Sequence, residues 1–179
     1  MSAKIYPVVG PITVCGPWGA RGAGWHWGID LCAPLGTPLV AVDDGSVHFG
    51  TDPLGGLVAV LTTKDGDKFY YAHMDRYEGS DRPVQAGDVI GYVDNTGNAA
   101  KSPSHVHFEF WPGGQQHNPP DPAPLLATTE RLGAVAVPAK SNVGRDVAIG
   151  LGLVLLAGAG AWALTRPARL VRRARFAIP

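Results

Sequence analysis

Three short stretches of this sequence carry residues able to hold a metal ion or move a proton: His26-Trp27-Gly28-Ile29-Asp30, Tyr71-Ala72-His73-Met74 and Ser104-His105-Val106-His107-Phe108-Glu109-Phe110. The last is the most readable. Side chains alternate faces along an extended strand, which sends Val106, Phe108 and Phe110 to a core and leaves His105, His107 and Glu109 on the opposite face. Two imidazoles then stand about 7 Å apart, so that one can bind a metal while its neighbour handles a proton. His26 and Asp30 have a helical spacing, but the flanking Gly22, Gly24 and Gly28 argue against a helix. On a straight strand they would lie about 13 Å apart. The backbone therefore has to bend between them, and Gly28 makes a bend easy. His, Asp and His with an open fourth position suit catalytic Zn²⁺, which needs a place for the water it acidifies. A structural zinc would take four protein ligands, usually including cysteine.

The elements that must position these residues read as strands. With 24 glycines and 16 prolines in 179 residues, the chain has too many helix-weakening residues for a helix-dominated protein. Short apolar runs broken by glycine, proline and aspartate follow one another: Pro38 to Val42, Ser46 to Phe49, Leu57 to Thr63, Phe69 to His73, Val89 to Val93 and Val106 to Trp111. Leu57 to Thr63 and Lys68 to Met74 flank Lys64-Asp65-Gly66-Asp67, where Asp-Gly supplies the positive φ of a tight hairpin. The expected architecture is mainly β, an antiparallel, sandwich-like domain over residues 1–124. Cys15 and Cys32 form no close metal-binding pair and read as small buried residues, with a disulfide between them as the alternative. Trp25, Trp27 and Trp111 flank the histidines and could line a peptide groove.

Taken together, the motifs resemble the lysostaphin/LytM-type zinc endopeptidases, a family built on the duplicated hybrid motif fold. The likeness runs in order through His26-Trp27-Gly28-Ile29-Asp30, Ala33-Pro34-Leu35-Gly36-Thr37-Pro38, Tyr71-Ala72-His73-Met74, Val84-Gln85-Ala86-Gly87-Asp88-Val89-Ile90-Gly91, Asn95-Thr96-Gly97 and His105-Val106-His107-Phe108-Glu109. It covers roughly residues 5–120. Carried over residue by residue, it implies that His26, Asp30 and His107 hold one zinc ion, that His105 is the general base and that His73 stabilises the oxyanion. Tyr71 would support the site from behind and Trp27 would border the substrate groove. The implied activity is hydrolysis of stem or cross-bridge peptides of bacterial peptidoglycan. The segment from Asn98 to Ser104 is about two residues longer than the family pattern. Two other classes compete: a non-catalytic wall-binding scaffold or activator, and a sugar phosphocarrier of similar fold. The intact His26, Asp30, His105 and His107 count against the first, and the H-x-H pair with Tyr71-Ala72-His73-Met74 against the second.

The end of the chain has a different character. Four prolines between Asn118 and Pro124 begin a linker expected over residues 125–145. Val147 to Leu164 is then eighteen residues without a charge. As a helix of about 27 Å it matches the hydrocarbon thickness of a bilayer, so residues 146–165 are expected to span a membrane. Gly150, Gly152, Ala157, Gly158, Gly160 and Ala161 would allow close approach of a second copy. Net charge is zero, yet all 15 acids precede Leu151, while Arg166, Arg169, Arg172, Arg173 and Arg175 crowd the basic tail of residues 166–179. This asymmetry places the tail on a cytoplasm-like or virion-interior side and the domain facing the wall, with anionic lipid or nucleic acid as alternative partners for the arginines. The first ten residues leave no room for the apolar core of a secretory signal, which favours a phage virion over a bacterial envelope as the setting.

Overall fold

In the computed structural model, residues 3–133 are described. The linker after residue 133, the expected spanning helix and the basic tail lie outside the described residues. No helix among the described residues is long and apolar enough to cross a membrane.

The chain enters through β1 (Thr13–Gly16), turns through β2 (Gly19–Arg21) and β3 (Gly24–His26), and continues into β4 (Ile29–Cys32) and β5 (Pro38–Val40). The long central strands are β6 (Gly45–Asp52), β7 (Gly56–Thr63) and β8 (Lys68–Tyr77), followed by β9 (Arg82–Val84), β10 (Val89–Val93) and β11 (His105–Trp111). A short helix α1 (Ala123–Leu126) comes last. Every ladder is antiparallel. Strands β2 and β3 form a separate ribbon, and the other nine make one sheet in the order β1-β4-β11-β8-β7-β6-β9. β8 also pairs with β10, which pairs with β5, so the sheet branches at β8.

The hairpin between β7 and β8 forms as its turn residues dictate. Gly66 takes φ +86°, the Gly66 amide donates to the Thr63 carbonyl and the Thr63 amide to the Asp67 carbonyl. The core side collects Leu31, Leu61, Phe69, Tyr71, Val106 and Phe108, all fully buried. Phe69 stacks on both Phe108 and Phe110, so the apolar alternation of β11 is used as its pattern predicts.

Two expectations are corrected. Cys15 and Cys32 are joined in a disulfide, with Cα atoms 5.8 Å apart. They come together because β1 pairs with β4 and bulges at Cys15, between Val14↔Leu31 and Gly16↔Asp30, a register that spacing alone does not reveal. The folded part also runs past Pro124. Leu126 is buried in the core, the Tyr6 amide donates to the Glu130 carbonyl, the Glu130 amide donates to the Lys4 carbonyl, and Leu132 packs near Ile5 and Val9. The prolines before α1 redirect the chain across the N-terminal segment instead of releasing it.

Candidate metal centre and cleft

β4 and β11 are neighbours, and their register sets His107 directly opposite Asp30. β3 delivers His26 to the same point, and the bend at Trp27-Gly28 that follows leads into β4. Gly28 matters here for space: a Cβ would fall 2.6 Å from His107 Cε1 and from the Phe108 carbonyl oxygen, so only glycine lets this turn lie against the strand. The expected reason, freedom to bend, is secondary, since Gly28 is absent from the positive-φ residues.

Three ligand atoms converge. His26 Nε2 lies 3.0 Å from Asp30 Oδ1 and 2.9 Å from His107 Nδ1, and His107 Nδ1 lies 3.0 Å from Asp30 Oδ1. In a tetrahedral zinc site with bonds near 2.1 Å the ligand–ligand edges are roughly 3.4 Å, so this triangle is a little tight but near the right size for one ion. The outward nitrogens explain why the inward ones are bare. His26 Nδ1 donates to the Pro17 carbonyl at 2.8 Å, and His107 Nε2 donates to Glu109 Oε1 at 2.8 Å. Each ring thus spends its proton on an acceptor behind it and turns a lone pair toward Asp30, the arrangement that prepares a histidine for a metal. Two lone pairs and a carboxylate oxygen at 3 Å repel unless a cation or proton lies among them, so the residues fit zinc.

The electrostatics agree. Burial opposes the charge on Asp30, but hydrogen bonds from His107, His26 and Arg21 outweigh it and hold the carboxyl well below the usual carboxylate range. Burial likewise disfavours imidazolium at His107, yet the hydrogen bonds and charges of Asp30 and Glu109 raise its pKa to about 9. Without metal, a proton takes the cation's place.

His105 and His73 stand beside this triangle, their rings 4.9 Å apart. His105 Nδ1 donates to the Pro103 carbonyl at 2.8 Å, and its Nε2 lies 3.9 Å from Asp30 Oδ1. His73 reaches the cleft by a different device. Along β8, Ala72 and His73 together oppose a single residue of β7, between the pairs Tyr71↔Ala59 and Met74↔Leu57. This bulge gives His73 a φ of +64°, rare for a residue with a side chain, and swings its ring off the core face. The strained residue is held by its amide donating to Gly55 and its Nδ1 donating to the Thr96 carbonyl at 2.8 Å. Thr96 Oγ1 in turn donates to the Met74 carbonyl and accepts from the Leu57 amide. Burial lowers the His73 pKa, with His105 and His107 adding to the effect against the Thr96 hydrogen bond.

Because of that bulge, Tyr71 and His73 do not share a face. Tyr71 is fully buried on the core side, its hydroxyl donating to the Val40 carbonyl and accepting from the Val42 amide, so its expected place behind the catalytic histidines is corrected. Tyr70 lines the cleft instead, stacked on Trp111 and edge-on to His107. Burial, reinforced by the Asp52 and Glu109 charges, pushes its phenol well above the ordinary value. Sequence reasoning also missed Arg21, whose Nη2 donates to Asp30 Oδ2 at 2.9 Å, and the part played by Thr96. Trp27 lines the cleft, packed with Trp18 and Trp25. The whole cleft encloses about 970 Å³, enough for several residues of a peptide.

Two histidines and an aspartate around one point, with two more histidines at an open face, form the donor set of a catalytic metal site. The chain belongs to peptidase family M23, which matches residues 24–119, more than half of it. The DD-carboxypeptidase/endopeptidase Mpg of Neisseria meningitidis is 32% identical over 121 residues, 65% of this chain but 28% of that protein, so the chain spans less than a third of that relative. Among solved structures, the catalytic domain of lysostaphin from Staphylococcus simulans is 28% identical with a TM-score of 0.55, covering 64% of this chain and 90% of that one. A putative glycyl-glycine endopeptidase lytM from Ruminococcus gnavus is 28% identical with a TM-score of 0.63, covering 74% and 63%.

Proposed function

We propose that this protein is a zinc metalloendopeptidase that hydrolyses stem or cross-bridge peptides of bacterial peptidoglycan, tethered to a membrane by residues 147–164 with its domain facing the wall. The observation that carries the catalytic reading is the convergence of bare ligand atoms from His26, Asp30 and His107 beside His105 and His73 in an open cleft. Zinc bound there supplies Lewis acidity, polarising the scissile carbonyl and acidifying the attacking water. His105, its Nδ1 proton committed to Pro103, offers Nε2 as the base that accepts the water's proton. His73, anchored through Nδ1 to Thr96, has Nε2 left for the substrate. That nitrogen donates a hydrogen bond only when protonated, a form that burial disfavours until a negative oxygen develops beside it.

The disulfide supports a domain that works outside the reducing cytosol, in the same direction as the arginine asymmetry of the tail. A bacterial envelope and a phage virion both satisfy that arrangement.

The test is release of new amino groups from purified peptidoglycan by the zinc-loaded chain. Release that stops with a chelator, returns with zinc and is lost in His107→Ala supports the reading. A folded, zinc-loaded protein that releases nothing from several wall chemistries points to the non-catalytic scaffold. Alkaline carbonate extraction tests the tether: the full chain stays with membranes, and its release into the supernatant would remove the membrane from the proposal.

A further inference from the structure

Arg21 is the only lysine or arginine among the described residues lining the cleft. It sits at the tip of the β2–β3 ribbon, paired across to Gly24, which places a cation at the edge of the metal centre. Its side chain is 54% exposed even though Nη2 is fixed 2.9 Å from Asp30 Oδ2. The fixing is built into the backbone. A Cβ on Gly16 would fall 2.3 Å from Arg21 Nη2 and 2.1 Å from Asp30 Oδ2, so that position must be glycine for the guanidinium to reach the carboxylate. A guanidinium has five donors in a rigid fork. Here one nitrogen holds the orientation, and no hydrogen bond to the described residues occupies the others.

The charge is also incompletely spent. Asp30 turns Oδ1 toward the metal centre and Oδ2 toward Arg21, and one carboxylate cannot neutralise a divalent ion and a guanidinium together. The other acids lining the cleft are engaged elsewhere: Glu109 accepts from His107 and Trp111, and Asp52 accepts from the Leu54 and Gly55 amides. An oriented, half-exposed and undercompensated guanidinium beside the ligand triangle is suited to hold an anionic group of the substrate close to the scissile bond. Peptidoglycan peptides offer such a group as a free carboxylate, whereas a bridge of glycines offers none.

We propose that Arg21 is a specificity-determining residue, binding a free carboxylate next to the scissile bond and directing the enzyme to carboxylate-bearing cross-links over neutral glycine bridges. This rests on the peptidase reading above, and the test separates the two. The zinc-loaded full chain is given two synthetic cross-linked stem peptides, identical except that the residue supplying the scissile nitrogen carries a free carboxylate in one and a carboxamide in the other. Wild type favours the free carboxylate in kcat/KM by roughly tenfold to a hundredfold, the worth of a charge-assisted hydrogen bond. In Arg21→Gln that ratio collapses toward one, and Arg21→Lys restores part of it. A merely structural role through Asp30 would lower both rates together, and zinc content measured on each variant reports that effect directly. Equal cleavage of both peptides by wild type, or an undiminished ratio in Arg21→Gln, would overturn the proposal while leaving the peptidase standing. Cleavage of neither would overturn both.

Discussion

The histidines of this cleft are specified one atom at a time by what stands behind them. His26, His73 and His105 each spend Nδ1 on a backbone carbonyl, and His107 spends Nε2 on Glu109, so one proton per ring is fixed away from the centre. Glu109 would therefore prepare His107 as a ligand by holding its Nε2 proton and leaving Nδ1 for a metal. Glu109→Gln should weaken zinc binding by about tenfold to a hundredfold, the usual cost of losing such a partner, measured by competition with a chromophoric chelator. The same pair sets the pH dependence. The folded, metal-free His107 has its pKa raised to about 9 from 6.5, so below pH 9 zinc must displace a proton. Apparent affinity should then fall about tenfold for each pH unit below that point. An affinity flat between pH 7 and 9 would show that His107 is not the titrating ligand. Much of this was legible in the sequence, because an H-x-H-x-E strand has only one way to alternate. Arg21 was not, because its partner Asp30 lies across a turn and a strand whose register no local pattern encodes.

At the level of elements, the strands with clear apolar runs and turn signals were readable, and the hairpin of β7 and β8 formed at its Asp-Gly. The glycine-rich stretch forming β1 to β4 was less so, since its pairing depends on close approaches at Gly16 and Gly28. The bulge in β8 is the clearest case of local pattern failing. Regular alternation would put Tyr71 and His73 on one face, and one extra residue puts them on opposite faces. That bulge is held by the loop carrying Thr96, so Thr96→Val, similar in volume but without the hydroxyl, should loosen His73 specifically. We expect kcat to drop about tenfold with zinc content and KM little changed, and stability to fall by about 1–2 kcal/mol for the unpaired Met74 carbonyl and Leu57 amide. A loss of zinc in this variant would mean that the loop supports the ligands, not His73. The disulfide braces the other side of the site, joining β1 to the strand that carries Asp30. Replacing Cys15 and Cys32 together by serine removes a cross-link over 17 residues, worth about 3 kcal/mol, and should lower the melting temperature by about 10 °C. Adding reductant should reproduce the shift in the wild type and leave the double variant unmoved.

For the molecule as a whole, the boundary of the folded domain is set by tertiary contacts. Composition put the boundary at Pro124, since four prolines in seven residues look like the start of an extended linker. Burial puts it later, because the segment beyond those prolines closes the N-terminal end of the core: Leu126 is 6% exposed, the chain near Glu130 pairs with Lys4, Ile5 and Tyr6, and Arg131 lies over the Tyr6 ring. Prolines mark a change of direction, and only tertiary contacts decide whether the chain leaves or returns. A fragment of residues 1–133 should therefore unfold cooperatively and retain zinc. A fragment of residues 1–124 loses a buried leucine worth about 1.5–3 kcal/mol and the hydrogen bonds that pin the N-terminal segment. Its denaturant midpoint should fall accordingly, with protease cutting first near Lys4, because Ile5, Val9 and Val40 lose the Leu132 side of their cluster. Equal midpoints for the two fragments would restore the earlier boundary. A lower midpoint for the shorter one places residues 125–133 inside the cooperative folded unit, because the contacts of Leu126, Glu130 and Leu132 with the N-terminal segment are then part of what holds it.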